Sequence, residues 1–174
     1  MSQWVGSEYD TSTLWKIGMG TYSQRGINRI NTLDQYFKEF TEKNCKIIVI
    51  TKGYVGVVNK ILKDSGLSKY NIDVYGNTST AYGKNSYDEE AMKKDYSEFL
   101  GGQEKQNEYS KGRLLVMLAE ANKLKSKDCI LIDDDPNEIN SALQHNCEGM
   151  HVTKRQGVTL EQLQLVSSWV QQKQ

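Results

Sequence analysis

The chain has 174 residues, of which 37% are hydrophobic and 25% charged, and its 22 Lys plus Arg balance 22 Asp plus Glu. That length suits one domain, and that apolar share excludes a chain that stays disordered for want of a core. A formal charge of zero excludes a net basic field for gripping nucleic-acid phosphates.

Taken in order, residues 1–26 are rich in Gly, Ser and Thr and show little periodicity. Ile30, Leu33, Phe37 and Phe40 then recur at three- and four-residue steps, which predicts one face of a helix of about 15 residues, with Asn31 or Thr32 as a nearby cap. The run Ile47 to Ile50 is apolar and β-branched throughout and reads as a strand buried on both faces, ending at Thr51-Lys52-Gly53. Val55, Val58, Ile61 and Leu62 predict a second helix that Gly66 stops. Ile72 to Tyr75 reads as a short strand.

Residues 77–110 form a long polar excursion, with a short helix expected from Asp88 to Phe99 on the shared face of Met92, Tyr96 and Phe99. Such a stretch reads as a lid rather than a plain connection. Its Tyr82, Tyr87, Tyr96, Phe99 and Tyr109 either line that lid or pack it onto the domain. Beyond Lys111-Gly112 a third helix is expected, with Leu114, Leu118 and Ala121 on one face and Leu115 beside it. Cys129 to Ile132 predicts a second buried strand, running into Asp133-Asp134-Asp135-Pro136. Pro136 suits the first turn of the next helix and Asp135 its cap. Ile139, Ala142 and Leu143 continue it. Met150 to Val152 reads as a last strand, and Leu160, Leu163, Val166 and Val170 as a terminal helix.

Helices alternating with apolar strands predict an α/β fold with a parallel sheet covered on both faces. No stretch approaches the roughly 20 apolar residues of a membrane span. Met1 to Asp10 has neither the basic flank nor the apolar core of a secretory signal. A cytoplasmic protein with no membrane or nucleic-acid partner is expected. The three cysteines, Cys45, Cys129 and Cys147, lack metal-ligand spacing and read as buried thiols in a reducing compartment. Two histidines, His145 and His151, leave little material for a histidine metal site or a Ser-His-Asp triad.

In such folds ligands bind beyond the carboxyl ends of the strands, and polar residues stand there. Adjacent carboxylates at Asp133 and Asp134 repel each other and resist desolvation. A divalent cation relieves both costs, and hard oxygen ligands suit Mg²⁺. Capping alone explains Asp135. The Thr51 hydroxyl, with the backbone N–H groups of Lys52 and Gly53, offers donors to a phosphate oxygen, or else caps the following helix. Lys111 is either a solvated charge or the cation that neutralises a substrate phosphate.

The order of these residues is their most specific property. Thr51 in KIIVITKGY, Lys111 in SKGRLLVMLAEANKL, and Asp133-Asp134 in CILIDDDPNEINSA resemble the second, third and fourth motifs of the haloacid dehalogenase-like (HAD) superfamily. The similarity covers roughly residues 27–153. It implies a Rossmann-like three-layer sandwich with a mainly parallel sheet and a small or absent cap, residues 1–174 forming one domain. It further implies a Mg²⁺-dependent phosphohydrolase working through an aspartyl-phosphate. By position, Thr51 and Lys111 would bind and stabilise the phosphoryl group, and Asp133 and Asp134 would hold Mg²⁺. The substrate would be a phosphorylated small molecule or a phosphoprotein.

The family's first motif, Asp-x-Asp-x-Thr at the end of an apolar strand, falls at Tyr9-Asp10-Thr11-Ser12-Thr13-Leu14-Trp15. In one register Tyr9 replaces the nucleophile and Thr11 the acid/base. Shifted by one, Asp10 becomes the nucleophile and a metal ligand, with Ser12 at the acid/base position. Gly6-Ser7-Glu8 is poor material for the strand that should precede it. Either that strand is degenerate or the chain begins downstream of the true one. Two functions stay open: a phosphohydrolase using Asp10 and Mg²⁺, impaired by its first motif, and a non-catalytic HAD-like domain binding phosphate, metal or a protein partner. A receiver domain is disfavoured, because its paired aspartates come early in the chain rather than after the threonine and lysine.

Overall fold

The computed structural model describes residues 24–51, 55–75, 110–153 and 157–173. The chain divides into two compact units, Met1–Tyr96 and Ser97–Gln174. Among the described residues it is mixed α/β, with two small parallel sheets of two strands each. No described helix is long and apolar enough to cross a membrane.

In the first unit, helix α1 (Gln24–Glu42) carries the expected face of Ile30, Leu33, Phe37 and Phe40, with Phe40 buried. It begins earlier than its sequence predicts. Asn31 and Thr32 lie inside it rather than capping it, and the Thr32 hydroxyl donates back to the Asn28 carbonyl at 2.9 Å. The helix ends on Asn44, whose φ of 58° is left-handed, a geometry that asparagine tolerates better than most residues. The turn lets the Cys45 N–H reach the Phe40 carbonyl at 2.9 Å.

Strand β1 (Ile48–Ile50) pairs in parallel with β2 (Asp73–Tyr75), Ile48 opposite Asp73 and Ile50 opposite Tyr75. Parallel strands need a crossover. Here it is helix α2 (Val55–Asp64), followed by Gly66 at φ 72° and a single 3-10 turn over Leu67–Tyr70. The Gly66 stop is where the sequence placed it. The strand itself differs from expectation: Ile48, Val49 and Ile50 are each half-buried. The faces of a parallel strand are covered by the elements packed on them, and Ile48, Val49 and Ile50 receive only part of that cover.

The turn is tied to α1 by polar contacts. The Tyr70 hydroxyl donates to the Asp34 carbonyl and to Asp34 Oδ1, both at 2.9 Å, and Lys69 Nζ lies 2.6 Å from Asp34 Oδ1. The hydrogen bonds from Lys69 and Tyr70 hold the Asp34 carboxyl below its ordinary pKa. Burial, aided by the Asp34 charge, pushes the Tyr70 phenol up.

In the second unit, α3 (Lys111–Ala121) leads to β3 (Ile130–Asp133), α4 (Pro136–Gln144), β4 (Glu148–His151) and α5 (Leu160–Gln172). Strands β3 and β4 are parallel, Ile130 opposite Glu148 and Asp133 opposite His151. Helix α4 is their crossover and packs on β3, β4 and α3. A Cβ on Gly149 would stand 2.9 Å from Ile139 Cγ2, so the missing side chain sets how closely α4 lies on β4.

Several expected faces rotate. Helix α3 buries Leu114, Leu115 and Ala119, whereas Leu118 is half-buried and Ala121 exposed. Strand β3 starts one residue later than expected and is not buried on both faces: Leu131 and Asp133 are buried, and Ile132 is exposed. The last strand spans Glu148–His151 rather than Met150 to Val152. Leu143 and Leu160 are exposed, while Ile139, Ala142, Leu163, Val166 and Val170 form the core as the periodicity predicts. The three thiols are free; Cys147 is buried, and Cys45 and Cys129 are half-buried.

Candidate functional site

The acidic end of β3 lies beside the start of α3. Successive strand residues point to opposite faces, so Leu131 and Asp133 share the buried one. Asp133 is only 8% exposed, while the neighbouring Asp134 is exposed. A buried carboxylate requires partners. Lys111 Nζ stands 2.6 Å from Asp133 Oδ2, the two side chains being 12% and 7% exposed. The other oxygen, Oδ1, accepts the Asp135 N–H at 2.9 Å. The main chain is held too, since the Asp133 carbonyl accepts the Val152 N–H at 2.8 Å.

The next residues start α4 by the chemistry their types predict. Asp135 is the N-cap, its Oδ1 accepting the Asn137 N–H at 2.9 Å, and Pro136 takes the first turn, where its missing N–H is not needed. On the facing helix, Ser110 caps α3 and accepts the Arg113 N–H at 3.2 Å. Lys111 is therefore the first residue of α3, with its side chain reaching to Asp133.

Three further features build the site, and none was singled out from sequence. Glu138, 5% exposed, crosses from the first turn of α4 to accept the Lys111 backbone N–H at 2.7 Å. The hydroxyls of Ser110 and Ser141 meet between the two helices. Gly112 is the contact point, because a Cβ there would stand 2.5 Å from the Ala142 backbone nitrogen. Their signals were present but weak: a serine before a helix start, a glycine inside it, and an acid five residues past Asp133. Each has a common local explanation, and only the meeting of two helices gives it another.

The arrangement places one ammonium group and two buried carboxylates within a single cluster, and Asp134, the next residue along the chain, is exposed. An ammonium has three donors, and Asp133 Oδ2 takes one of those on Lys111. Beyond Asp134, the His151 Nε2–H donates to the Asp134 carbonyl at 3.2 Å, and the Gln162 side-chain amide donates to the His151 carbonyl at 3.0 Å. Side-chain capping recurs at α5, where Thr159 and Gln162 exchange side-chain and backbone hydrogen bonds.

Of the residues predicted from sequence, Lys111 and Asp133 are in direct contact, and Asp134 follows Asp133 in the chain. Thr51 belongs to the first unit, at the end of β1, where its N–H donates to the Tyr75 carbonyl at 2.9 Å. Asp10, Lys52, Gly53 and the excursion from 77 to 109 lie outside the described residues. Among the described residues, no group of three or more His, Cys, Asp or Glu could hold a metal ion. No protein-family model matches the chain, and no curated protein matches it as a relative.

Proposed function

We propose that the chain is a HAD-like phosphohydrolase acting on phosphate monoesters with Mg²⁺, its charged centre being Lys111, Asp133 and Asp134. The observation that carries this reading is the buried Lys111–Asp133 pair at the end of a parallel strand. A cation and a carboxylate are costly to bury together, and hydrophobic residues would often be no less stable. A site that must neutralise a phosphoryl group gives both charges a use. The two parallel βαβ pairs support the wider three-layer Rossmann-like sandwich that belongs to this reading.

The donor set suits Mg²⁺, which often takes one or two carboxylates together with waters and substrate phosphate. An ionised carboxylate accepts at about four lone-pair sites, so Asp133 keeps capacity beside its bonds to Lys111 and to the Asp135 N–H. Asp133 and Asp134 would hold the ion, with Asp10 as the third ligand. When bound, Mg²⁺ supplies charge neutralisation at the phosphoryl oxygens. Lys111 would orient and neutralise the same group, and the resemblance alone assigns Thr51 as a donor to it. By the resemblance, Asp10 would attack phosphorus while the P–O bond to the leaving group breaks and the departing oxygen takes a proton from water; a second water would then hydrolyse the acyl phosphate, freeing Asp10 and inorganic phosphate. The substrate is a phosphorylated small molecule or a phosphoprotein.

A second reading rests on the first motif, where one register puts Tyr9 and Thr11 in place of both acidic residues. In it the same centre binds a phosphate group, a metal or a protein partner without turnover. Hydrolysis of an aryl phosphate by the full chain separates the two, measured with Mg²⁺, with EDTA, and in Asp10→Asn and Lys111→Met. Turnover that needs Mg²⁺ and is lost in both variants is expected. Phosphate binding without turnover in the wild type would select the second reading, and neither binding nor turnover would sink both.

A further inference from the structure

We propose that Glu138 is the positioning residue for Lys111, acting through the lysine's backbone rather than its side chain. The inference rests on the reading of Lys111 as a phosphate ligand. Lysine hangs its charge on a flexible four-carbon stem, so where the ammonium sits depends on where the Cα is held. The first N–H groups of a helix have no partner inside it. Ser110 takes that of Arg113, and Glu138 takes that of Lys111 itself.

Glu138 reaches across from another helix to make this bond, and it is one of two buried charged residues in the described chain, the other being Asp133. Both meet Lys111: Asp133 at Nζ and Glu138 at the backbone nitrogen, 2.6 and 2.7 Å away. The lysine is thus fixed at both ends by buried carboxylates. Gly112 against Ala142 and the Ser110–Ser141 hydroxyl pair hold the two helices at the distance this bond requires. A glutamate in the first turn of α4 also suits the positive end of that helix, but this explains neither its near-complete burial nor its aim at α3.

The proposal predicts that reach matters more than charge. Glu138→Gln keeps an acceptor oxygen at the same distance and loses the charge. Glu138→Asp keeps the charge and falls one methylene short. Both are assayed in the full chain for kcat and KM on an aryl phosphate and for inorganic phosphate affinity. Both are also examined by NMR for the Lys111 amide shift, its hydrogen exchange and the Lys111 Nζ resonance. We expect Gln to stay within a few-fold of wild type. Asp should lower kcat on the order of tenfold to a hundredfold, the scale of a roughly 1 Å misplacement, with an upfield amide and a shifted Nζ signal. Impairment by Gln with Asp unaffected would overturn the proposal, since Glu138 would then act by charge. An unchanged Lys111 amide and Nζ in Glu138→Asp would also overturn it. The NMR arm reads lysine placement whether or not the chain turns over, so loss of the phosphatase reading and loss of this one are told apart.

Discussion

Each unit contains a parallel pair of short strands joined by one helix, but they treat charge in opposite ways. Among the described residues of the first unit, the ion pairs that join residues distant in the chain lie at the surface. Lys46–Asp73 and Lys69–Asp34 are roughly half exposed on at least one side, and Lys60–Asp64 follows one turn of α2. In the second, Lys111–Asp133 is buried on both sides. The difference lies in what faces the strand end. β1 runs into Thr51, a neutral residue, and β3 ends at Asp133, a buried carboxylate whose two oxygens are met by Lys111 of α3 and by the Asp135 N–H at the start of α4. Surface pairs of the first kind contribute little to stability, whereas breaking a buried pair strands a charge.

The largest expected effect follows from that contrast. Lys111→Met should destabilise the folded chain by about 3–5 kcal/mol, because the buried Asp133 would lose its partner. Lys111→Met with Asp133→Leu should cost clearly less than Lys111→Met alone. Urea denaturation of the two variants beside wild type checks this, and equal losses would mean that the pair is not energetically coupled.

Next come the glycines. Gly112→Ala drives a methyl into the Ala142 backbone and should cost about 1–3 kcal/mol or more. Gly66→Ala meets no atom within 4 Å, and its cost is the left-handed φ of 72°, about 1–2 kcal/mol. Thermal melts should rank Gly112→Ala as the more damaging. The reverse order would show that α3 and α4 can part without loss.

A smaller effect depends on pH. Burial, with a contribution from Cys129, pushes the Cys147 thiol up to about 11. In the unfolded chain it titrates near about 8.5. Between these values the folded chain keeps a proton that the unfolded chain releases, so this stability is whole below about pH 8.5 and is lost as pH rises through about 11. The urea midpoint of wild type should therefore fall more between pH 8 and pH 10 than that of Cys147→Ala. Parallel slopes would remove the thiol from the account.

The smallest change is expected at the exposed Asp34–Lys69 pair. Lys69 and Tyr70 depress the Asp34 carboxyl, so its contribution is present above the ordinary carboxylate range and fades as pH falls through the depressed value. Lys69→Met should barely move the melting temperature at physiological salt, and should remove part of the acid sensitivity. A loss comparable to that of Lys111→Met would erase the contrast between the units.

Much of the local structure was legible from residue type alone. The Asp135–Pro136 start of α4, the Gly66 stop after α2 and the core stripe of α5 follow from backbone chemistry and a 3.6-residue period, which act within one turn of chain. Asp133 and Lys111 stood out as candidates because their order along the chain resembles HAD motifs, and the two are in contact. Illegible were the burial of β1 and β3 and the roles of Glu138, Ser110 and Gly112. An apolar run states that a strand prefers burial, but the elements packed on it decide how much it receives. Ile132 is exposed and Asp133 buried because α3 and α4 meet beside the strand end, where Lys111 and the Asp135 N–H satisfy the carboxylate. Residue type and spacing therefore determined which segments are helices and strands and which charges stand out. Tertiary structure decided which of the adjacent carboxylates is buried and what holds its lysine, because both depend on partners 22 and 27 residues away in the chain.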